Sequence, residues 1–269
     1  MRVSSIRLRW FIALYTGLGL VAGNISAAES DPDGRLFEAS PDPVADVEQA
    51  LERAGDGDRK ALVVLGANWC HDSRALAARL HRSPLAEQIQ QHYELVFVDV
   101  GFLDKGDDVL EQFDVAQFYA TPTVLIIDPS TGRLVNDEDR HVWGDAYSID
   151  MATSVEYFEK WAEYEAPADA AAAPEELLAL YAQIDQFEQR QAMRVSGGYA
   201  VVGPMLEAYK AGDAPDNFQS SWDELRDFRT AIPGDVRELR AEAERRVAAG
   251  DEDIQLEFPE YPLLSWETE

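Results

Sequence analysis

Cys70, the one cysteine of the chain, lies in the segment ANWCHDS at residues 67–73, directly after Trp69. A second cysteine at position 73 would complete Trp-Cys-x-x-Cys, a pattern typical of a redox-active pair of thiols. Ser73 stands there instead, and a hydroxyl cannot attack a mixed disulfide to release an adduct from Cys70. The chemistry available to this segment is therefore exchange through one thiol, which an outside thiol must complete.

The residues around Cys70 set the expected charge of its surroundings. A continuous apolar run at 61–68 indicates a buried strand, and the helix that follows places the sulfur at a helix N-terminus. Unpaired N–H groups and the helix dipole at that end favour a thiolate over a thiol. His71, when protonated, and Arg74 would add to this effect, whereas Asp72 would oppose it through like-charge repulsion. Neighbours on a helix point apart, so a nucleophilic pair of Cys70 with His71 is not favoured.

The elements that position Cys70 alternate between helices and strands. Apolar runs predict strands at 61–68, 94–100 and 121–128 and an edge strand at 133–137. Apolar residues at helical spacing predict helices at 42–57, 70–89 (with a break near Ser83 and Pro84), 108–115 and 148–164. We therefore expect an α/β domain at residues 43–164, with a central mixed sheet flanked by helices.

Two separated motifs, together with this element order, resemble the thioredoxin superfamily over residues 43–163. The motifs are Trp69-Cys70-x-x between a strand and a helix, and Ala120-Thr121-Pro122-Thr123 at the start of a later strand. The resemblance implies a thioredoxin-like fold in which the Thr121–Pro122 bond is cis and lies against Cys70. It also implies that the backbone of Thr121 pairs with an extended substrate segment, with Trp69 as a wall of that groove. The stretch GANWCHDSRALA further resembles a subgroup of exported bacterial thioredoxin-like proteins with a Cys-His-Asp-Ser motif.

The chain departs from the thioredoxin pattern at two positions. Ser73 replaces the resolving cysteine, and Val64 stands where thioredoxins commonly carry a buried aspartate that assists proton transfer to that thiol. Both changes indicate altered chemistry at the same site, or its loss. The predicted site has Cys70 as its reacting residue, with supporting residues Trp69, His71, Asp72, Ser73, Thr121 and Pro122.

The first 28 residues have the pattern of a secretory signal peptide. Three arginines precede an apolar run at 10–22, and small residues precede the first acid, Glu29. The run is too short to span a bilayer, so we expect cleavage after Ala28 and export, to the periplasm if the source is a Gram-negative bacterium. An uncleaved anchor is the alternative, and no further membrane span is expected. Residues 29–42 are polar and rich in proline and aspartate, which predicts a flexible lead-in.

The chain is strongly acidic, with 51 acidic and 23 basic residues and a formal net charge of -28. Such a surface repels nucleic acid and anionic lipid, so neither is an expected partner. The four histidines are scattered without the ligand spacing of a zinc site, and no metal or cofactor is expected. The expected partners are protein or small-molecule thiols and disulfides.

The last hundred residues differ in composition from the α/β domain. Residues 165–174 are alanine- and proline-rich and predict a linker, and residues 175–250 predict an all-helical extension with an apolar stripe that begins at Leu177. A capping box at residues 221–224 predicts the start of one of its helices, and Gly250 predicts the end. The stripe packs these helices together or onto the first domain, with a partner groove as the alternative. An acidic and aromatic tail at 251–269 could dock on the body or protrude.

Two functions stay open from the sequence alone. The favoured one is thiol–disulfide exchange by an exported thioredoxin-like protein, in which Cys70 forms a mixed disulfide that an external thiol resolves. The alternative is a non-catalytic module that uses the thioredoxin fold to bind or retain client proteins. The sequence does not predict the oligomeric state.

Overall fold

The computed structural model describes residues 36–165 and 173–267 of the chain. The predicted signal peptide, the start of the lead-in and the middle of the linker lie outside these residues. Within the described ranges, an α/β domain is followed by two long helices and a C-terminal tail.

The α/β domain follows the predicted order of elements. Its helices are α1 (Pro43–Asp56), α2 (His71–Leu80), α3 (Leu85–His92), α4 (Asp107–Glu111) and α5 (Met151–Glu163). Its strands are β1 (Lys60–Gly66), β2 (Tyr93–Asp99), β3 (Thr123–Asp128) and β4 (Arg133–Leu134). Two short 3-10 helices, Asp137–Asp139 and Val142–Asp145, connect β4 to α5.

The sheet is mixed, as predicted, with the strand order β2-β1-β3-β4. Strand β1 runs parallel to β2 and antiparallel to β3, and β3 runs antiparallel to β4. Because β1 is a central strand, helices cover both of its faces and its apolar residues are continuous. Ala61, Val63 and Leu65 share a core with α1, whereas Leu62 and Val64 share a second core with α2, α3 and α5.

The edge strand β4 is shorter than the predicted span of 133–137, because an asparagine side chain continues its pairing. Val135 still donates its backbone N–H to Ile126 at 2.8 Å. The carboxamide of Asn136 then accepts from the Ile126 N–H at 2.7 Å and donates to the Val124 carbonyl at 2.9 Å. The Asn136 side chain thus makes the hydrogen bonds that the backbone of one further strand residue would make, and the main chain can turn away from the sheet.

The extension consists of α6 (Glu175–Ala211) and α7 (Phe218–Ala249), which pack along each other. Both end at a glycine with positive φ, Gly212 and Gly250. The predicted stop at Gly250 is therefore confirmed. The predicted capping box is wrong: α7 begins at Phe218, one turn earlier, and Ser221 is a buried residue of its first turn.

The extension is packed against the α/β domain. The α1 face of the sheet and the apolar faces of α6 and α7 belong to one continuous hydrophobic core. Phe118 stacks on Tyr199 of α6 at 4.9 Å between ring centroids, and the Tyr199 hydroxyl donates to the Phe118 carbonyl at 2.5 Å. Gly203 permits the closest approach, since a Cβ there would lie 2.3 Å from the Phe102 carbonyl oxygen. The apolar stripe of the extension is thus an intramolecular interface.

A buried ion pair adds to this interface. Arg140, which follows the first 3-10 helix, places Nη2 3.1 Å from Oε1 of Glu188 on α6. The hydroxyl of Tyr119 donates to the same oxygen at 3.3 Å. Burial raises the pKa of Glu188, and the Arg140 guanidinium opposes that rise. The pair lies between the domain and the extension, where both charged groups are almost wholly removed from water.

The tail docks on the body, which is one of the two outcomes that the sequence left open. Leu256 and Leu264 are buried in the shared core. Arg194 of α6 places Nε 2.7 Å from Oε1 of Glu267. This hydrogen bond holds the pKa of the Glu267 carboxyl below its ordinary value.

The described part of the predicted lead-in is also attached to the domain. Phe37 is buried and packs edge-on against Phe97. The Asn68 side chain accepts from the Phe37 N–H at 3.2 Å and donates to the Phe37 carbonyl at 2.5 Å. The folded domain therefore extends before residue 43. No helix in the described ranges is long and apolar enough to cross a membrane.

Candidate functional site

Cys70 lies between the end of β1 and the first residue of α2, where it is the N-cap residue. Its side chain is 8% exposed. The thiol donates a hydrogen bond to the backbone carbonyl of Thr121, with 3.0 Å between sulfur and oxygen. The two motifs that the sequence analysis singled out are therefore in direct contact.

The Thr121–Pro122 peptide bond is cis. Thr121 is 5% exposed, and among the described residues its hydroxyl Oγ1 has no hydrogen-bond partner. Thr121 thus carries a carbonyl that Cys70 engages and a buried hydroxyl that no described residue engages. A buried hydroxyl without a partner is uncommon, and it suits a position that a bound molecule completes.

Ser73 lies one turn into α2, and its side chain is directed toward the end of β1. It is fully buried, and its Oγ accepts a hydrogen bond from the Ala67 N–H at 3.3 Å. The hydroxyl therefore supports the loop that carries Cys70. With one cysteine in the sequence, the site has a single thiol.

Asp72, His71 and Arg74 have roles that the sequence analysis did not predict. Asp72 is buried, and its Oδ1 accepts from the Tyr147 N–H at 2.9 Å, which ties the start of α2 to the segment before α5. His71 is exposed, and its Nε2 lies 3.2 Å from Oδ2 of Asp72, although neighbours on a helix were expected to point apart. Arg74 donates to the Asn68 carbonyl at 2.7 Å. These three residues shape the loop around the sulfur.

Trp69 connects the Cys70 loop to the extension. Its indole N–H donates to the Gly101 carbonyl at 2.6 Å, and its ring stacks on Phe102 at 6.5 Å between centroids. The same ring makes a T-shaped contact with Trp222 of α7, with 6.2 Å between ring centroids. Trp69 is thus a wall beside Cys70, and the wall opposite is supplied by the extension.

A cleft of about 710 Å³ lies between the Cys70 loop and the extension. The domain contributes Cys70, Trp69, His71, Asp72 and Thr121 to its lining, which are five of the seven predicted site residues. The extension contributes residues of the C-terminal part of α6 and of α7 from its first residue to Arg237, among them Tyr209, Trp222 and Arg229. The structure therefore makes the extension part of the site.

His141 lines the inner side of this cleft, next to Tyr119 at 5.5 Å between ring centroids. Burial, with Arg140 and Arg237 nearby, holds the pKa of His141 well below its ordinary value. Its Nδ1 is buried and has no hydrogen-bond partner within the described ranges. The imidazole is thus neutral near pH 7, and the fixed positive charges of the cleft come from arginine and lysine.

Arg229 is the site residue that the sequence analysis missed. It lies on the buried stripe of α7 with Leu225, Phe228 and Ile232, and its side chain is 7% exposed. A charged residue at an apolar position of a helical stripe is the signal that could have found it, since buried charges are rare and require a partner. Trp222, on the same helix, gave no such signal because an aromatic residue is ordinary in a core.

A comparison with protein families agrees with this architecture. Residues 42–129 match a protein-family model described as thioredoxin-like. Among solved structures, a disulphide isomerase from Xylella fastidiosa Temecula1 is similar at 24% sequence identity and a TM-score of 0.43, over 47% of this chain and 96% of that chain. A search of curated proteins finds no match.

The matched segment contains α1, β1, α2, β2 and β3, together with Cys70, Thr121 and Pro122. The chain therefore carries a thioredoxin-like domain, with a mixed four-stranded sheet flanked by helices and a helical extension after it. The match ends at residue 129, so the extension and the wall it adds to the cleft lie outside the family model.

Proposed function

We propose that this protein performs thiol–disulfide exchange through Cys70 alone, with an external thiol completing each cycle. The observation that carries the proposal is the position of the Cys70 sulfur at the N-terminus of α2, 3.0 Å from the Thr121 carbonyl and on the lining of a cleft. A sulfur at this position can meet a disulfide that enters the cleft, and the helix N-terminus favours the negative charge that develops on it.

The exchange balances without an added oxidant or reductant. Cys70 gives up its thiol proton to solvent, and its sulfur attacks one sulfur of a disulfide. A new S–S bond forms to Cys70, the old S–S bond breaks, and the leaving sulfur departs as a thiolate that takes up a proton. Because Ser73 is a hydroxyl, a second thiol from outside the chain attacks the adduct and displaces the Cys70 thiolate.

Thr121 links the resting and reacting states of this step. In the resting state its carbonyl accepts the hydrogen of the Cys70 thiol. Attack on a disulfide removes that hydrogen, and the carbonyl is then free to accept an N–H from the bound molecule. This is the pairing that the thioredoxin resemblance implies for the residue before the proline.

The test is the formation and release of an adduct with hydroxyethyl disulfide, a small uncharged disulfide. Intact-mass measurement on folded wild-type protein should show one hydroxyethylthio group per chain, which an added thiol removes. Cys70→Ser should remain unmodified, whereas Ser73→Ala should still form the adduct, because the Ser73 hydroxyl takes no part in the exchange. Folded wild-type protein that forms no adduct would refute the proposal.

One observation favours the second candidate, a module that binds clients without chemistry. Cys70 is 8% exposed, and its thiol is engaged by the Thr121 carbonyl. Under this alternative, Cys70→Ser would still bind a client. The wild-type protein, like this variant, would form no adduct. The adduct measurement therefore separates the two candidates.

Export belongs to the proposal as well, on the basis of the sequence of residues 1–28. The arginines, the apolar run and the small residues before Glu29 are its support. The mass of the protein recovered from a Gram-negative host should correspond to a chain that begins at Glu29. A recovered chain that begins at Met1 would contradict it.

A further inference from the structure

The cleft above Cys70 has one basic wall in a strongly acidic protein. Its lining includes four basic residues from the extension, Lys210, Arg226, Arg229 and Arg237. The chain as a whole has 51 acidic against 23 basic residues. When basic residues are concentrated on one wall of a cleft in a protein with a negative net charge, they indicate an anionic ligand.

Arg229 is the central residue of this wall. Within the part of the chain that the structure describes, no carboxylate lies within ion-pair distance of it, and its Nε is buried without a hydrogen-bond partner. Its Nη1 donates to the Tyr199 hydroxyl at 3.2 Å, and its guanidinium lies 5.7 Å from the Tyr199 ring and 5.5 Å from the Trp222 ring. A buried cation without an anion is costly, so this fixed guanidinium suits the carboxylate of a bound molecule.

The domain contributes three acidic residues to the cleft lining, Asp72, Glu138 and Asp145, and within the described ranges none forms an ion pair with Arg229; Glu138 is exposed to solvent. Asp72 is engaged by the Tyr147 N–H and by His71, and Asp145 accepts from the Ser148 hydroxyl. Arg226 is paired with acidic neighbours on its own helix, Asp223 and Asp227. Arg237, which is exposed, has no ion pair with a described residue and can assist Arg229.

The size of the cleft limits the occupant to a small molecule. Its volume of about 710 Å³ lies within the range of roughly 300–1,000 Å³ that is typical of small-molecule sites. The extension covers the side of Cys70 that a folded partner would approach, with Trp222 only 6.2 Å from Trp69. Aromatic side chains from both the domain and the extension line the cleft together with Cys70.

From these observations we infer that the cleft selects low-molecular-weight disulfides and thiols that carry carboxylates. The carboxylate binds Arg229, the sulfur meets Cys70, and the connecting atoms lie along the cleft that Trp69 and Trp222 help to line. Cys70 attacks the disulfide and keeps one half as a mixed disulfide while the other half leaves as a thiolate. A different thiol from solution then attacks the retained sulfur, forms a new disulfide with it and displaces the Cys70 thiolate, which takes up a proton. This inference rests on the proposed single-thiol exchange and names its substrate class.

The test compares three small disulfides that differ in charge. Dithiodiglycolate is anionic, hydroxyethyl disulfide is neutral and cystamine is cationic, and each is followed by intact mass as it forms an adduct on Cys70. The salt concentration is about 0.15 M, where the net negative charge of the protein is largely screened beyond about 8 Å. Dithiodiglycolate should react about tenfold faster than cystamine or more, as expected for a hydrogen bond to a buried charge.

Substitutions in the basic wall test whether these residues cause the preference for the anionic disulfide. Arg229→Gln should slow the reaction of dithiodiglycolate about tenfold more than it slows that of hydroxyethyl disulfide. Arg237→Gln, at an exposed position that folding tolerates, should lower the anionic rate by a smaller factor. Arg245→Gln removes the same charge from the same helix outside the cleft and should react as the wild type does.

The outcomes distinguish failure of this inference from failure of the proposed function. Equal rates for dithiodiglycolate and cystamine would overturn the inference while single-thiol exchange stands. Equal slowing of all three reactions in Arg229→Gln would also overturn it, because Arg229 would then only support the fold. If none of the three disulfides forms an adduct with the folded protein, the proposed function itself is overturned.

Discussion

The ion pair between Arg140 and Glu188 gives a quantitative prediction about how the extension is held. Glu188→Ala removes the carboxylate that accepts from both Arg140 and Tyr119, and it leaves the Arg140 guanidinium buried. Breaking a buried pair by removal of one partner costs about 3–5 kcal/mol. Arg140 keeps its contact with Asp137, so we expect the lower end, about 3 kcal/mol of unfolding free energy.

A double variant separates this cost from the value of the pair. Arg140→Met combined with Glu188→Leu replaces both charges by apolar side chains of similar volume. Such replacements are often neutral or stabilising, so the double variant should lie within about 1 kcal/mol of the wild type. The double variant thus recovers most of the stability that the single variant loses, because no buried charge is left without a partner; Asp137, which loses Arg140, is exposed to solvent.

Two assays test this prediction. Urea unfolding followed by tryptophan fluorescence gives the free energy of unfolding of each variant by linear extrapolation. Alkylation of Cys70 in native buffer reports how often the extension opens, and it should be faster in Glu188→Ala than in the double variant. A loss below about 1 kcal/mol in Glu188→Ala, or a double variant as unstable as the single one, would refute the reasoning.

Three further predictions concern other residues of the site and the interface. His141 stays neutral in the folded protein, whereas in the unfolded chain it takes up a proton below about pH 6.5. The free energy of unfolding therefore falls by up to about 1.4 kcal/mol for each pH unit below that value. Urea unfolding from about pH 7.5 down to about 5.5 should show a smaller fall in His141→Gln, and an equal fall would contradict this prediction. Gly203→Ala should lower the free energy of unfolding by about 1–3 kcal/mol, because its Cβ would meet the Phe102 carbonyl. Gly197→Ala, on the same helix, meets nothing and should not destabilise the protein. Equal thermal midpoints for these two variants would count against this prediction. Ser73→Cys should release mixed disulfides from Cys70 and reduce a disulfide-bonded test protein with an added reductant, which the wild type should do poorly; an inert variant would show that the site lacks more than a second sulfur.

The order of elements in the α/β domain could be predicted because each strand carries its own signal. The run ALVVLGAN is apolar at every position that the two cores require, and Pro84 marks the break between α2 and α3. The length of β4 could not be predicted, since Asn136 substitutes a side chain for backbone pairing. Such a substitution depends on the position of the neighbouring strand and leaves no periodic pattern in the sequence.

The position of the reacting sulfur could also be predicted, but the surroundings of that sulfur could not. Local spacing placed Cys70 before a helix, and the thioredoxin resemblance placed Thr121 beside it. Asp72 was interpreted as a charge acting on the sulfur, whereas its partner, Tyr147, is 75 residues away in the chain. The basic wall depends on how α6 and α7 pack against the domain, which Glu188 and Tyr199 fix through contacts far apart in the sequence.

The contact between Trp69 and Trp222 has an optical consequence. Trp69 precedes Cys70 directly, and its ring makes a T-shaped contact with an indole of the extension, with 6.2 Å between ring centroids. Disulfides quench indole emission at short range, so a mixed disulfide on Cys70 should dim Trp69, and a thiol that releases it should restore the signal. Movement of the extension would change the coupling between the two indoles without any change at sulfur. The protein thus contains its own fluorescent reporter, which can follow the redox state of Cys70 and the opening of the cleft during a single reaction.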